Sequence, residues 1–210
     1  AAFFRDHGFA MVLLVAGYML LTALRDLRDN FAVELWTAMG LGNIASVFSQ
    51  SELPVAAIAL CGLGALMLVR NNTHALLAMH GVIICGAALL GLSTLAFQNG
   101  MLEPMQWMIL SGAGLYLGYT PFNAMLFDRM IAALGKAGNA GFLIYVADSS
   151  GYVGSVALLL GRSFAAPDID WLPFFITCAY ATAILVTVVT FISAMQFIGL
   201  ARPSRVHAHA

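Results

Sequence analysis

Charge is what this sequence has least of. Charged residues make up 9% of 210, against 61% hydrophobic, where a soluble domain carries roughly 25% charge. Too few polar side chains remain to coat a water-facing surface, which excludes an ordinary soluble enzyme and a disordered chain. No sign dominates either: nine Lys and Arg stand against ten Asp and Glu, a net charge of −1, so nothing marks a nucleic-acid binder. Cysteine is scarce, and Cys61, Cys85 and Cys178 lie inside apolar runs with no metal spacing and no disulfide framework. They read as small apolar fillers. Strands of alternating polarity are missing, which argues against a membrane barrel. There is no HExxH, no glycine-rich phosphate loop with a lysine and no locally supported Ser–His–Asp order. The chain is not read as an enzyme, and no cofactor or metal is implied.

What is present is a series of apolar runs. A spanning helix needs about 20 such residues, and six candidates lie near 9–28, 54–69, 74–97, 105–127, 141–160 and 171–200. The expected fold is therefore all-α, a polytopic six-helix transmembrane bundle over residues 1–200 with a cytoplasmic tail over 201–210. The separators are Arg70-Asn71-Asn72, Gln98-Asn99-Gly100, Asp128-Arg129, the stretch 135–139 and Pro167-Asp168-Ile169-Asp170. Arg5, Arg70, Arg129, Lys136, Arg202 and Arg205 fall on one side, and Arg25, Arg28 and Arg162 on the other. By the positive-inside rule both termini are cytoplasmic. Trp107 and Trp171 then sit on the outer side, where an aromatic belt is expected. The chain starts at Ala1, so it was either processed or belongs to something longer. The first apolar run lacks a small-residue cleavage site and is not read as a signal peptide.

Helices three and six carry few polar residues and are expected outside. Helices one, four and five are expected around a polar interior. His80, in helix three, reads as a hydrogen-bonded packing residue. From Phe9 to Leu24 is 16 residues, roughly 24 Å of helix and too short to cross. The first helix therefore either begins before Phe9 or continues through Arg25-Asp26-Leu27-Arg28-Asp29-Asn30. In the second case Arg25 and Asp29 can pair four residues apart, and Tyr18, Thr22, Arg25 and Asp29 form one stripe. Lipid-exposed charge costs about 2.5–3.5 kcal/mol, so the stripe faces protein or water. It is either an anion or substrate site with Arg25 or Arg28 as cation, or an ion-pair cluster that caps the helix.

Asp148 lies seven residues into helix five and shares a face with Tyr145, Tyr152 and Ser155. It is a proton carrier, an arginine counter-ion, or a buried carboxyl fixed by neighbours. Gly151 and Gly154 beside it would admit another helix. In helix four, Gly114 and Gly118 make a small-xxx-small packing face, Pro121 invites a kink, and Asn123 is placed to satisfy the freed carbonyl or touch a solute. Asp128-Arg129 and Arg70-Asn71-Asn72 read as interface anchors. His207 and His209 read as a solvated tail.

The words RDLRDNFAVELW (25–36), SELPVA (51–56), LYLGYTPFNAMLFDRMIA (115–132) and GNAGFLIYVADSSGYVGSVALL (138–159) resemble the C-terminal half of an uncharacterised bacterial domain-of-unknown-function family of the major facilitator superfamily. The resemblance covers nearly the whole chain. It implies a carrier of about twelve helices, two six-helix bundles rocking about a midplane site, in the bacterial inner membrane. The partner would be a second bundle, from a copy of this chain or a separate N-terminal half, within the lipid bilayer. A more distant similarity is to the organophosphate:phosphate antiporters, which carry a substrate-binding arginine upstream of an aspartate on the helix corresponding to the first here. That similarity points to Arg25, or to Arg28, as the anion ligand. Substrate-binding candidates are thus Arg25, Arg28, Asp29, Tyr18 and Asn123; Asp148 and Tyr152 are candidates for proton coupling or charge pairing. The alternative is a non-transporting membrane subunit within a larger respiratory or photosynthetic complex.

Overall fold

A computed structural model describes residues 2–42, 46–135, 139–165 and 170–201, all but the short connections being helical. Lys136, Arg202, Arg205, residues 167–169 of the last separator and the His207–His209 tail lie outside them. Among the described residues there is no strand. The elements are α1 (Ala2–Asn30), α2 (Ala32–Ala38), α3 (Ser46–Met67), α4 (Asn72–Gln98), α5 (Pro104–Pro121), α6 (Phe127–Leu134), α7 (Ala140–Leu160) and α8 (Trp171–Ala201). A π-turn, Phe122–Leu126, joins α5 to α6, and a second, Gly161–Ala165, extends α7.

Five helices are long and apolar enough to cross a membrane: His7–Asn30, Ser46–Met67, Asn72–Gln98, Ala140–Phe164 and Trp171–Ile198. The chain is thus a multi-pass helical membrane protein by length and composition. The sixth expected span, near 105–127, does not meet that measure. It runs as α5, the π-turn and α6, and carries Gln106, Ser111, Tyr116, Tyr119, Thr120 and Asn123. The physical reason lies in its neighbours. α5 packs against α3, α4 and α1, so much of its surface meets protein and needs no lipid-compatible coat. The first helix resolves its length problem both ways, starting at Ala2 and continuing to Asn30. The second begins at Ser46, eight residues before its expected start, with Pro54 inside it.

α1, α5, α4 and α8 form a four-helix core, in which α1 also touches α5; α3 docks on α5, and α7 on α1. Glycines set the closest approach. A Cβ on Gly86 would stand 2.5 Å from the Gly114 carbonyl and 2.7 Å from the Gly118 amide, so the α4 and α5 backbones are in contact. Gly151 and Gly154 do the same for α7, where a Cβ would meet Thr22 and Met19 of α1. At the α4–α8 seam, His80 is buried, its Nδ1 2.8 Å from the Leu76 carbonyl and its Nε2 3.1 Å from Ser193 Oγ. It is a packing residue, as its solitary position suggested.

Two expectations change. Trp107 is no belt residue: it is fully buried, donates to Thr94 Oγ1 and stacks on Phe97 at 4.2 Å. The inside–outside assignment is also partly reversed. α4 is 44% buried along its most apolar stretch, against 22% for α3 and for α7, because α4 is clasped by both α5 and α8 while α3 and α7 are flanks.

Candidate functional site

The polar side chains gather where α1 meets α5, α7 and α3. Along the α1–α7 seam, residues one turn apart on α1 face residues nearly one turn apart on α7. The Tyr18 hydroxyl donates to Asp148 Oδ1 at 2.5 Å. Thr22 sits at the gap left by Gly151. The Ser155 hydroxyl donates to Asp26 Oδ2 at 2.6 Å. The periodicity of both helices makes this ladder possible, since positions 18, 22 and 26 and positions 148, 151 and 155 each line one face.

The seam continues to α5. Tyr18 also lies 3.1 Å from Asn123 Oδ1, and Asn123 Nδ2 donates to the Tyr119 hydroxyl at 2.6 Å. Asn123 is in the π-turn that follows Pro121. Proline lacks the N–H that would bond the carbonyl four residues back, and the extra residue of a π-turn re-aims the side chains after it. The Tyr18 and Tyr119 rings stack at 5.4 Å.

Arg25 does not pair with Asp29. Its guanidinium lies 4.2 Å from the Tyr119 ring centroid and bonds Asp26 Oδ1 at 2.5 Å. The ring holds it towards the neighbouring aspartate, while Asp29 is taken by Arg28, at 3.2 Å, and by the Tyr116 hydroxyl, at 2.9 Å. Arg28 is the anchor at the C-terminal end of α1. Its side chain is 1% exposed; it bonds Glu52 of α3 through both terminal nitrogens, at 2.8 and 3.2 Å, and donates to the Met108 carbonyl of α5 at 3.0 Å. Gly112 leaves the room for it: a Cβ there would stand 2.7 Å from Arg28 Nη2. One guanidinium thus ties three helices beside a cleft of about 230 Å³ lined by Arg28, Asp29, Phe48, Glu52 and Tyr116.

The sequence-predicted residues Tyr18, Arg25, Arg28, Asp29, Asn123 and Asp148 therefore come together. Tyr152 does not: it is 68% exposed, as Tyr145 is at 76%, and both point away from the buried Ser155 side of α7. The expected common face is split, with the tyrosines turned outward and Asp148 and Ser155 turned to α1. Glu52, Asp26 and Gly112 were missed as partners. The only signals were an acid just before an apolar run and a glycine amid other glycines, and neither names its contact. Arg129, expected as an interface anchor, straps α6 to the start of α4 through Asn72 Oδ1 at 2.8 Å.

Two arginines stand among four carboxylates, Asp26, Asp29, Glu52 and Asp148. Both guanidiniums are already engaged by acids of the chain. An incoming anion would have to displace those acids, whereas the acid surplus suits a proton, a cation or a neutral hydrogen-bonding solute. Among the described residues no three His, Cys, Asp or Glu side chains are gathered to hold a metal ion. No curated protein and no solved structure matches this chain. Residues 1–199, which include the whole of this polar cluster, match DUF5690, and the chain belongs to that family of unknown function.

Proposed function

We propose that the chain is one bundle of a secondary carrier of the major facilitator type, moving a small polar solute across the bacterial inner membrane. Six spans, with both termini cytoplasmic, complete this reading, the α5–α6 rod serving as the fourth. The observation that carries it is the polar cluster on α1, α5 and α7, beside flanks that are largely uncovered. Intramembrane charge is expensive and marks solute or proton pathways. Asp148, whose hydrogen-bond donor is a tyrosine and not an arginine, is the coupling carboxylate. Asn123, Arg25 and Asp29 form the solute-facing wall, with Tyr18 and Arg28 buried behind it. The engaged arginines favour a neutral or cationic solute over the anion that the organophosphate similarity implies. A second bundle, its own copy or a separate N-terminal half, closes the other side of the pathway.

A second reading has one observation in its favour. Arg25 and Arg28 are each paired with an acid of the chain itself, as they would be in a non-transporting subunit of a larger membrane complex. Proteoliposomes holding this chain and whatever co-purifies with it separate the two readings. A carrier accumulates a labelled polar solute under a proton gradient, and Asp148→Asn abolishes the accumulation. A particle of large native mass with foreign subunits and no uptake across a panel of cationic, neutral and anionic solutes establishes the subunit reading.

A further inference from the structure

Tyr18 has one hydroxyl hydrogen and two acceptors within reach, Asp148 Oδ1 at 2.5 Å and Asn123 Oδ1 at 3.1 Å. It cannot serve both at once. Asp148 Oδ1 is the nearer of the two acceptors and takes the hydrogen in this arrangement. Tyr18 is 1% exposed, which leaves little room for water to take over either bond. Asp148 is half-buried and Asn123 exposed, so the carboxyl is not sealed off from protons.

We propose that Asp148 binds the coupling proton and that Tyr18 transmits its binding to Asn123 by turning its hydroxyl hydrogen from one acceptor to the other. The inference rests on the carrier reading above and adds to it the positioning residue through which proton binding is felt. A proton arriving at Asp148 makes the carboxyl a donor. The Tyr18 oxygen then accepts that hydrogen, and the Tyr18 hydrogen turns to Asn123 Oδ1. One proton is gained, at Asp148, and the covalent O–H of Tyr18 is kept throughout. Loss of the proton reverses the turn. The far end of the chain is Asn123 Nδ2, which donates to Tyr119, the ring that carries the Arg25 guanidinium. The state of a carboxyl on α7 is thereby felt on the π-turn of α5, the segment whose backbone is already irregular.

Few other charges compete for this role. Arg25 and Asp26, farther along α1, bond each other. On α6, Arg129 is turned to Asn72 and Asp128 is exposed. Arg162, in the π-turn after α7, lies over the Trp171 ring.

The test needs only protons as ligand. Infrared difference spectra between acidic and alkaline buffer are recorded on the full protein in lipid nanodiscs. A protonated-carboxyl band that Asp148→Asn removes is expected, together with a shift of the phenol C–O band that Tyr18→Phe removes. That phenol shift should be lost in Asp148→Asn and reduced in Asn123→Ala, in which the Asp148 band persists. Tyr18→Phe keeps the ring and its packing, so misfolding does not confound it. An Asp148 band with no accompanying Tyr18 shift overturns the transmission and leaves Asp148 as a coupling site. No pH-dependent Asp148 band at all overturns both.

Discussion

Gly112 of α5 and Arg28 of α1 occupy one another's space: a Cβ on the glycine would lie 2.7 Å from Nη2 and 2.9 Å from Cζ of the guanidinium. Nη2 is the atom that bonds both Glu52 and the Met108 carbonyl. Gly112→Ala must therefore push a buried charge off its partners. Overpacking of this kind costs about 1–3 kcal/mol, and a lower melting temperature in detergent is expected. Gly81→Ala, where nothing lies within 4 Å of the added Cβ, should leave it unchanged or raise it, since alanine is the better helix former. Equal melting of the two variants would show that Arg28 is not held as described.

The same anchor distinguishes fork from charge. Arg28→Lys keeps the cation but loses the planar pair of donors, and one ammonium cannot reach Glu52, Asp29 and the Met108 carbonyl in the same geometry. A loss of roughly 1–3 kcal/mol is expected from the buried hydrogen bonds left unmade. Glu52→Gln should cost less, because Glu52 is 46% exposed and water can replace part of what it supplies. Thermal unfolding of both variants in detergent checks the order; a larger loss from glutamine would reverse the account.

Pro121 controls the register of Asn123. With Pro121→Ala the missing N–H is restored and the helix can continue without the extra residue of the π-turn. Side chains beyond it would then rotate by about 100°, carrying Asn123 away from Tyr18. Cysteines placed at 123 and 148, on either side of the Tyr18 hydroxyl, should be bridged in a cysteine-free background by a short bifunctional thiol reagent, and markedly less well when Pro121→Ala is added. Undiminished cross-linking would mean that the π-turn is maintained by packing and not by the proline.

Topology can be read at the ends of α4, whose 27 residues run from Asn72 to Gln98. Cysteines substituted at Asn71 and Asn99, with Cys61, Cys85 and Cys178 replaced, should be labelled from opposite sides of the membrane. Ser204→Cys should be labelled from the same side as position 71. Labelling of 71 and 99 from one side would end the spanning arrangement of α4.

Much of this is legible in the sequence. Gly114, Gly118, Gly151 and Gly154 read as close-packing positions, and each has a helix neighbour that a Cβ would touch. Asp148 stood out as a deep acid, and it does face α1 through Tyr18. The reading failed where two choices were local equals. Arg25 could reach an aspartate one residue on or four residues on, and helix periodicity preferred the second. Tyr119, 94 residues away, decided for the first by lying across the guanidinium. Trp107 looked like a belt residue for the same reason: position along the membrane normal can be read from the chain, but which way the ring turns cannot.

The sequence by itself determined the solvent this chain requires and its helical class. Apolar content, run length and the spacing of basic residues are properties of the chain alone. Tertiary structure decided the partners. Arg28 finds Glu52 across 24 residues, Tyr18 finds Asn123 across 105, and Tyr18 finds Asp148 across 130. A 3.6-residue period places a side chain on one face of its own helix but carries no information about which helix lies opposite, at what rotation or how close. Those are set by where glycines let backbones meet, at Gly86 against Gly114 and at Gly112 against Arg28, and they exist only once the helices have packed.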